Sequence, residues 1–309
     1  MPRTHTLDPS VYYTAIGPHE PALSIQSGDT VETSTVCSGG MDRHGVQVTP
    51  GGNPQTGPFF IEGAEPDDVL AVRFDRIVPN RLHGRTNTVI APHVVDPGFV
   101  HELPVDRGGG LWEVDTNAWT ATLIEPATAL GRFRVPLDPM IGCFGVAPPR
   151  GQSISCATSG THGGNMDYRG FRTGVTVYLP VFVPGALFQL GDGHAIQGDG
   201  EIVGTGIEIS MDVTFTAWIH RTQRPITWPR AENDEFIMSA GNARPLDQCV
   251  QHATTELLRW ITEDYDLDYR AASTLLGQCI RYDLGNVYDP AYTMIAKVDK
   301  RLLEPYRRV

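Results

Sequence analysis

At 309 residues the chain is long enough for one large or two medium domains, with a core that needs neither disulfides nor a structural metal. Its 36 acidic residues against 24 basic ones give a formal net charge of -12 and a pI near 5.2. That balance argues against nucleic acid and anionic membrane surfaces as partners and is compatible with a small neutral substrate or a bound cation. Cys37, Cys143, Cys156, Cys249 and Cys279 are widely spaced with no CxxC pair, so reduced thiols are expected. The stretch MPRTHTLDPSVYY has no apolar h-region, and no run approaches the ~20 apolar residues of a membrane span, so a cytoplasmic protein is expected.

Along the chain, short apolar runs are punctuated by 33 glycines and 24 prolines, the pattern of many strands joined by turns. Val69–Ile77, Ala121–Ile124, Val175–Val183, Ile202–Val203 and Ile207–Ile219 read as strands. Gly174–Val183 and Gly206–Ile219 alternate with period two, which predicts one buried face for each. Strands do not alternate with long helices, so a doubly wound sheet is not expected. The predicted fold is mainly β, as stacked sheets or a barrel-like sandwich, with a small C-terminal α+β lobe. That lobe begins where the texture changes. Leu246, Val250, Leu257, Leu258 and Ile261 follow helical spacing over Pro245–Glu263, and Ala271, Ala272, Leu275, Leu276 and Ile280 repeat it over Asp268–Ile280. Asp268 or a nearby Asp is a candidate cap for the second helix. A strand, Tyr292–Val298, follows. The division is a β-rich catalytic domain over 1–235 and an α+β lobe over 236–309 packed on it.

The densest polar stretch is Gly191-Asp192-Gly193-His194-Ala195-Ile196-Gln197-Gly198-Asp199-Gly200-Glu201. Asp192 and His194 are two apart, so in extended backbone they face one side, where a cation such as zinc would accept an imidazole nitrogen and a carboxylate oxygen. An acidic hairpin tip is the competing reading of the same residues. In Thr161-His162-Gly163-Gly164-Asn165-Met166-Asp167, Asp167 could supply a third ligand and Asn165 could orient an amide, or the segment could be an Asx-turn. Asp42 and His44 in Cys37–Gly45 repeat the Asp-x-His spacing, with loop decoration as the plainer reading. The sequence contains no GxSxG elbow, phosphate loop or HExxH. Cys156 reads as a buried structural thiol more readily than as a nucleophile.

Taken together, Asn53–Pro58 leading into Ile61–Leu70, Gly163–Asp167, Leu179–Val181 through Gly185–Phe188, and Gly191–Glu201 resemble the successive motifs of the acetamidase/formamidase family. The resemblance covers nearly the whole chain. It implies hydrolysis of a short amide of the formamide or acetamide type to ammonia and a carboxylate, with self-association as a dimer or larger homo-oligomer. It also implies a divalent metal, zinc by expectation, near Asp192 and His194. One departure stands out: where relatives often carry an acidic residue shortly after Glu32-Thr33, this chain has Thr35.

On that basis Asp192, His194 and Asp167 are the expected metal ligands. Glu201 is the candidate general base and proton shuttle, because the departing amine must leave protonated. Asn165 and Gln197 are candidates for binding the amide or its developing oxyanion, and Asn53 and Asp42 for contacting substrate. A lactamase, a hydrolase of a larger amide, and a non-catalytic small-amide binder remain as alternatives.

Overall fold

The computed structural model describes residues 1–106, 108–221 and 224–308. Strands dominate, as expected. A nine-stranded sheet runs in the order Thr4–Leu7, Thr30–Ser34, Met211–His220, Val69–Pro79, Thr176–Pro180, Arg230–Glu232, Phe236–Ala243, Tyr292–Asp299, Arg281–Asn286. A six-stranded sheet runs Ser159–Gly160, Gly163–Asn165, Met140–Gly145, Phe188–His194, Gln55–Ile61, Leu23–Ile25. A four-stranded antiparallel sheet is built from His83–Asn87, Gly109–Asp115, Thr120–Glu125 and Arg134–Pro136.

The two large sheets meet through aromatic contacts. Phe59 and Phe188 of the six-stranded sheet stand 5.0 and 5.4 Å, ring centroid to centroid, from Phe215 of the nine-stranded sheet, and Phe74 is 5.3 Å from Phe144. These edge-to-face pairs fill a core that takes its other members from the inward face of each strand. Met211–His220 shows why the alternation was readable: Met211, Val213, Phe215 and Ala217 are buried, and the residues between them are partly exposed.

The helices also fall where their periodicity put them, at Leu246–Asp264 and Tyr269–Cys279. Asp268 caps the second, its carboxylate accepting from the Ala271 amide at 2.8 Å. The first lies against Phe236–Ala243 and Tyr292–Asp299, where Ala253, Leu257 and Ile261 pack on Ile237, Ala296 and Val298. No helix among the described residues is long and apolar enough to cross a membrane.

One expected strand is absent. Ile202–Val203 lies in a turn, because Gly200 and Gly204 take left-handed φ of 83° and 77° and the Gly204 amide returns to the Glu201 carbonyl at 2.7 Å. The strand expected over Val175–Val183 is shorter, ending at Pro180, and that expected from Ile207 becomes continuous only at Met211.

Candidate active site

The strand Phe188–His194 ends in the segment that drew attention in the sequence. It pairs antiparallel with Met140–Gly145, setting Met140 opposite His194 and Cys143 opposite Gly191. Between those pairs sits Gly142. A Cβ there would collide with Asp167 Oδ1 and stand 2.7 Å from Asp192 Oδ2, so only glycine lets the two carboxylates converge. Asp167 is held in place from behind, since its amide and that of Met166 both donate to the Gly142 carbonyl at 3.1 Å. On the other side the His194 ring lies flush on Gly206, where a Cβ would come within 2.6 Å of it. Glu208 arrives just beyond, paired antiparallel with both His194 and Arg85.

The imidazole's protonation follows from its neighbours. Gln197 Nε2 donates to the carbonyls of Asp167 at 2.5 Å and Gly285 at 3.3 Å. Two carbonyls can only accept, so the carboxamide is oriented with Oε1 toward His194 Nδ1, 2.9 Å away. Nδ1 therefore carries hydrogen. Nε2 is left facing Glu208 Oε1 at 2.8 Å and Asp192 Oδ1 at 3.4 Å. Despite that closeness Nε2 has no hydrogen-bond partner of acceptable geometry, and neither do Asp167 Oδ1 and Glu208 Oε2.

A chain of carboxamides backs the cluster. Gln55 Nε2 donates to Asn53 Oδ1 at 3.1 Å, and Asn53 Nδ2 to Asn165 Oδ1 at 2.7 Å. Asn165 Nδ2 then reaches Asp167 Oδ2 at 2.7 Å and Asp289 Oδ2 at 2.6 Å. Asn286 Nδ2 donates to the same two carboxylates at 3.2 and 2.9 Å. Two amides thus clamp two carboxylates.

Asp167, Asp192, Glu201, Glu208 and Asp289 are all buried beside one imidazole, and among the described residues no Lys or Arg pairs with any of their carboxylates. Burial and the neighbouring carboxylates Glu201, Asp192 and Asp289 drive the Asp167 carboxyl well above its ordinary range. Glu201 is driven well up by burial, the opposing pull of His194 notwithstanding; Glu208 and Asp289 are also raised, burial again leading. Burial pushes Asp192 the same way, but the charge of the neighbouring His194 prevails and leaves it lowered. For His194 burial opposes charge, and Glu208 with Asp192 outweighs it, so its pKa is well raised. A buried excess of negative charge without a cationic side chain calls for protons or a bound cation.

Two sets of potential ligand atoms lie within 4.8 Å of one another: Asp192, His194 and Glu208, and Asp167, His194 and Glu201. The backbone is strained at the same places, with left-handed φ at Asn53 (62°), Asp167 (42°), Asp192 (60°) and Glu201 (49°).

Asp192, His194, Asp167, Glu201, Asn165, Gln197 and Asn53 therefore gather in one buried cluster. Asn165, Gln197 and Asn53 are engaged at both ends of their carboxamides. Asp42 stands apart: its carboxylate accepts from the His44 and Val46 amides of its own loop, both at 2.9 Å, as an Asx-turn does. Thr35 is buried, and its hydroxyl accepts from the Met211 amide at 3.2 Å. Cys156 is buried against Ile16 and Cys143. Sequence reasoning missed Glu208, Asn286 and Asp289. The only signal for Glu208 was an acid between Ile207 and Ile209 in an alternating strand, and Asn286 and Asp289 lie between the second helix and Tyr292, where no motif was singled out.

A family model described as the acetamidase/formamidase family matches residues 151–243. The structure is similar to that of an acetamidase from Yersinia enterocolitica, with a TM-score of 0.83 and 33% identity over 98% of this chain and 93% of that one. It is also similar to an acetamidase from Bacillus halodurans, with a TM-score of 0.81 and 29% identity over 97% and 99% of the two chains. An acetamidase of Mycolicibacterium smegmatis is 51% identical over 195 residues, covering 48% of this chain and 48% of that protein. The chain spans about half the length of the curated relatives it matches.

Proposed function

Because the chain belongs to the acetamidase/formamidase family, we propose that it hydrolyses a short amide, of the formamide or acetamide type, to a carboxylate and ammonia with the help of one divalent cation. The observation that carries this reading is His194 Nε2, a buried nitrogen without a hydrogen-bond partner, set between the Glu208 and Asp192 carboxylates. With Nδ1 donating to Gln197, Nε2 is the nitrogen that would give up its proton to a metal, and the donor set of one imidazole and two carboxylates suits zinc. Asp192, His194 and Glu208 would hold the ion. His194 Nε2 faces Glu208 at 2.8 Å and Asp192 at 3.4 Å, so this group rather than that with Asp167 and Glu201 would hold the ion, with Asp167 beside it. Such an ion supplies Lewis acidity for the amide carbonyl and for a water, whose pKa falls to ~7.

The remaining roles belong to the protein. Glu201 takes a proton from the attacking water and returns it to the departing nitrogen; its candidate ligand atom lies within 4.8 Å of those of Asp167 and His194. Gln197 fixes the His194 tautomer, a positioning task that leaves no free donor on it for the substrate. Asn165 and Asn286 keep Asp167 and Asp289 oriented. Self-association and a cytoplasmic setting belong to the same reading, supported by the end strands Thr4–Leu7 and Arg281–Asn286 of the nine-stranded sheet and by five free cysteines.

The decisive experiment is ammonia release from formamide and acetamide, before and after chelation, with zinc added back. Turnover lost to chelator and recovered with zinc is expected. Turnover indifferent to exhaustive metal removal would reject the cation, and no ammonia from either amide would reject the short-amide reading.

A further inference from the structure

We propose that a cavity beside the candidate centre is a carboxylate subsite, and that the preferred substrate is an amide carrying a carboxylate at the end remote from the scissile bond. This rests on the hydrolase reading above and deepens it.

The cavity is an open cleft of about 710 Å³ between the loop at Met41–Gly45, the segment Pro79–Arg85 and the strand bearing Leu111 and Val114, a volume suited to a small molecule. Arg43, Arg81, Arg85, His44 and His83 line it, and among the described residues no Asp or Glu does. In a chain of net charge -12 this is a local inversion of sign.

Most of that charge is not neutralised internally. Arg43 has one partner, Asp212 at 3.4 Å, which also accepts from Asn80. Arg81 directs its donors to the backbone carbonyls of Met41, Asp42, His83 and Glu208, which hold the guanidinium in place without cancelling its charge. Arg85 makes no ion pair among the described residues, and the Asp42 carboxylate is turned to the amides of its own loop.

The cavity and the centre share a backbone neighbour in Glu208. Arg85 and Glu208 exchange backbone hydrogen bonds at 3.1 and 2.8 Å, and His194 pairs with Glu208 from the other side. Directly opposed residues of antiparallel strands project to the same face, so Arg85, Glu208 and His194 form a row with neighbours about 5 Å apart. A guanidinium fork in that row offers a carboxylate two parallel hydrogen bonds. A short dicarboxylic acid monoamide could place its carboxylate there and its amide at the centre.

Two measurements test this on the full chain: kcat/KM for succinamate relative to acetamide, and calorimetric binding of succinate, each for wild type, Arg85→Gln and Arg43→Gln/Arg85→Gln. Arg85 and Arg43 are exposed, and far-UV circular dichroism checks that the variants fold. Wild type is expected to favour succinamate, and Arg85→Gln to reduce that preference about tenfold or more. Succinate binding should weaken with added salt and with each substitution. Equal use of the two amides by wild type, or succinate affinity indifferent to both arginines, would overturn the proposal. Arg85-dependent succinate binding without turnover of any amide would uphold the carboxylate site and remove the hydrolase reading instead.

Discussion

His194 and Gln197 face each other three residues apart, Nδ1 to Oε1 at 2.9 Å, and the far end of the same carboxamide is pinned to the Asp167 carbonyl. One side chain thus sets both the tautomer of the imidazole and its place relative to Asp167. Supports of this kind are commonly worth about 10- to 100-fold in metal affinity. Gln197→Ala is expected to bind zinc more weakly by such a factor while keeping its far-UV circular dichroism. Competition against a chromophoric chelator reads this directly, and unchanged affinity would show that the ring is positioned by Gly206 and its strand alone.

Gly142 makes a sharper case. The methyl group of Gly142→Ala would meet Asp167 Oδ1 and Asp192 Oδ2 in a fully buried place. Loss of zinc binding and of amide turnover is expected, together with destabilisation of about 1–3 kcal/mol from overpacking. Full zinc stoichiometry in the variant would mean that the carboxylates can separate without cost.

Away from the site, Arg230 and Glu256 form a buried pair at 2.7 Å, and Glu256 is fully inaccessible. Glu256→Ala leaves the mostly buried guanidinium with Glu263 at 3.1 Å as its remaining carboxylate partner. Breaking a buried pair from one side costs about 3–5 kcal/mol. Urea denaturation checks this; a change under about 1 kcal/mol would show that Glu263 compensates.

Acid sensitivity should have an identifiable contributor in His162. Burial lowers its pKa to about 4, and its Nε2 has no hydrogen-bond partner. The unfolded chain, with a His pKa near ~6.5, then binds a proton that the folded protein refuses. This contribution to stability is fully present above pH ~6.5 and declines as pH falls toward ~4, by roughly 2–4 kcal/mol in all. His162→Leu should flatten that part of the stability profile, measured by denaturation at a series of pH values. An identical slope in wild type and variant would assign the acid sensitivity elsewhere.

What the sequence made legible follows from how local each signal is. The helices and the Asp268 cap depend on neighbours within a turn or two, and they lie where their spacing indicated. Asp192 and His194 drew attention because two-residue spacing in extended backbone fixes a common face. Asp42 and His44 have the same spacing, yet Asp42 folds onto amides of its own loop, so the pattern does not separate the two outcomes. Glu208 was hidden for a different reason. It occupies the face opposite Ile207 and Ile209, and alternation alone does not tell a face turned to solvent from one turned to a second layer. Asn286 and Asp289 meet Asn165 and Asp167 across the fold, which no spacing in one sequence encodes.

The carboxamide clamp also bears on when the protein becomes competent. The Asn53–Asn165 hydrogen bond closes a separation of 112 residues and the Asn165–Asp289 bond one of 124. Contacts so distant along the chain are costly in loop entropy and form late, which slows the folding of topologies built on them. Local elements such as the helices are therefore expected to form before the carboxylates are gathered, and the candidate centre is complete only once Asp289 has docked. On the proposed function, amide turnover would report the completion of folding, whereas helix content would report only its beginning.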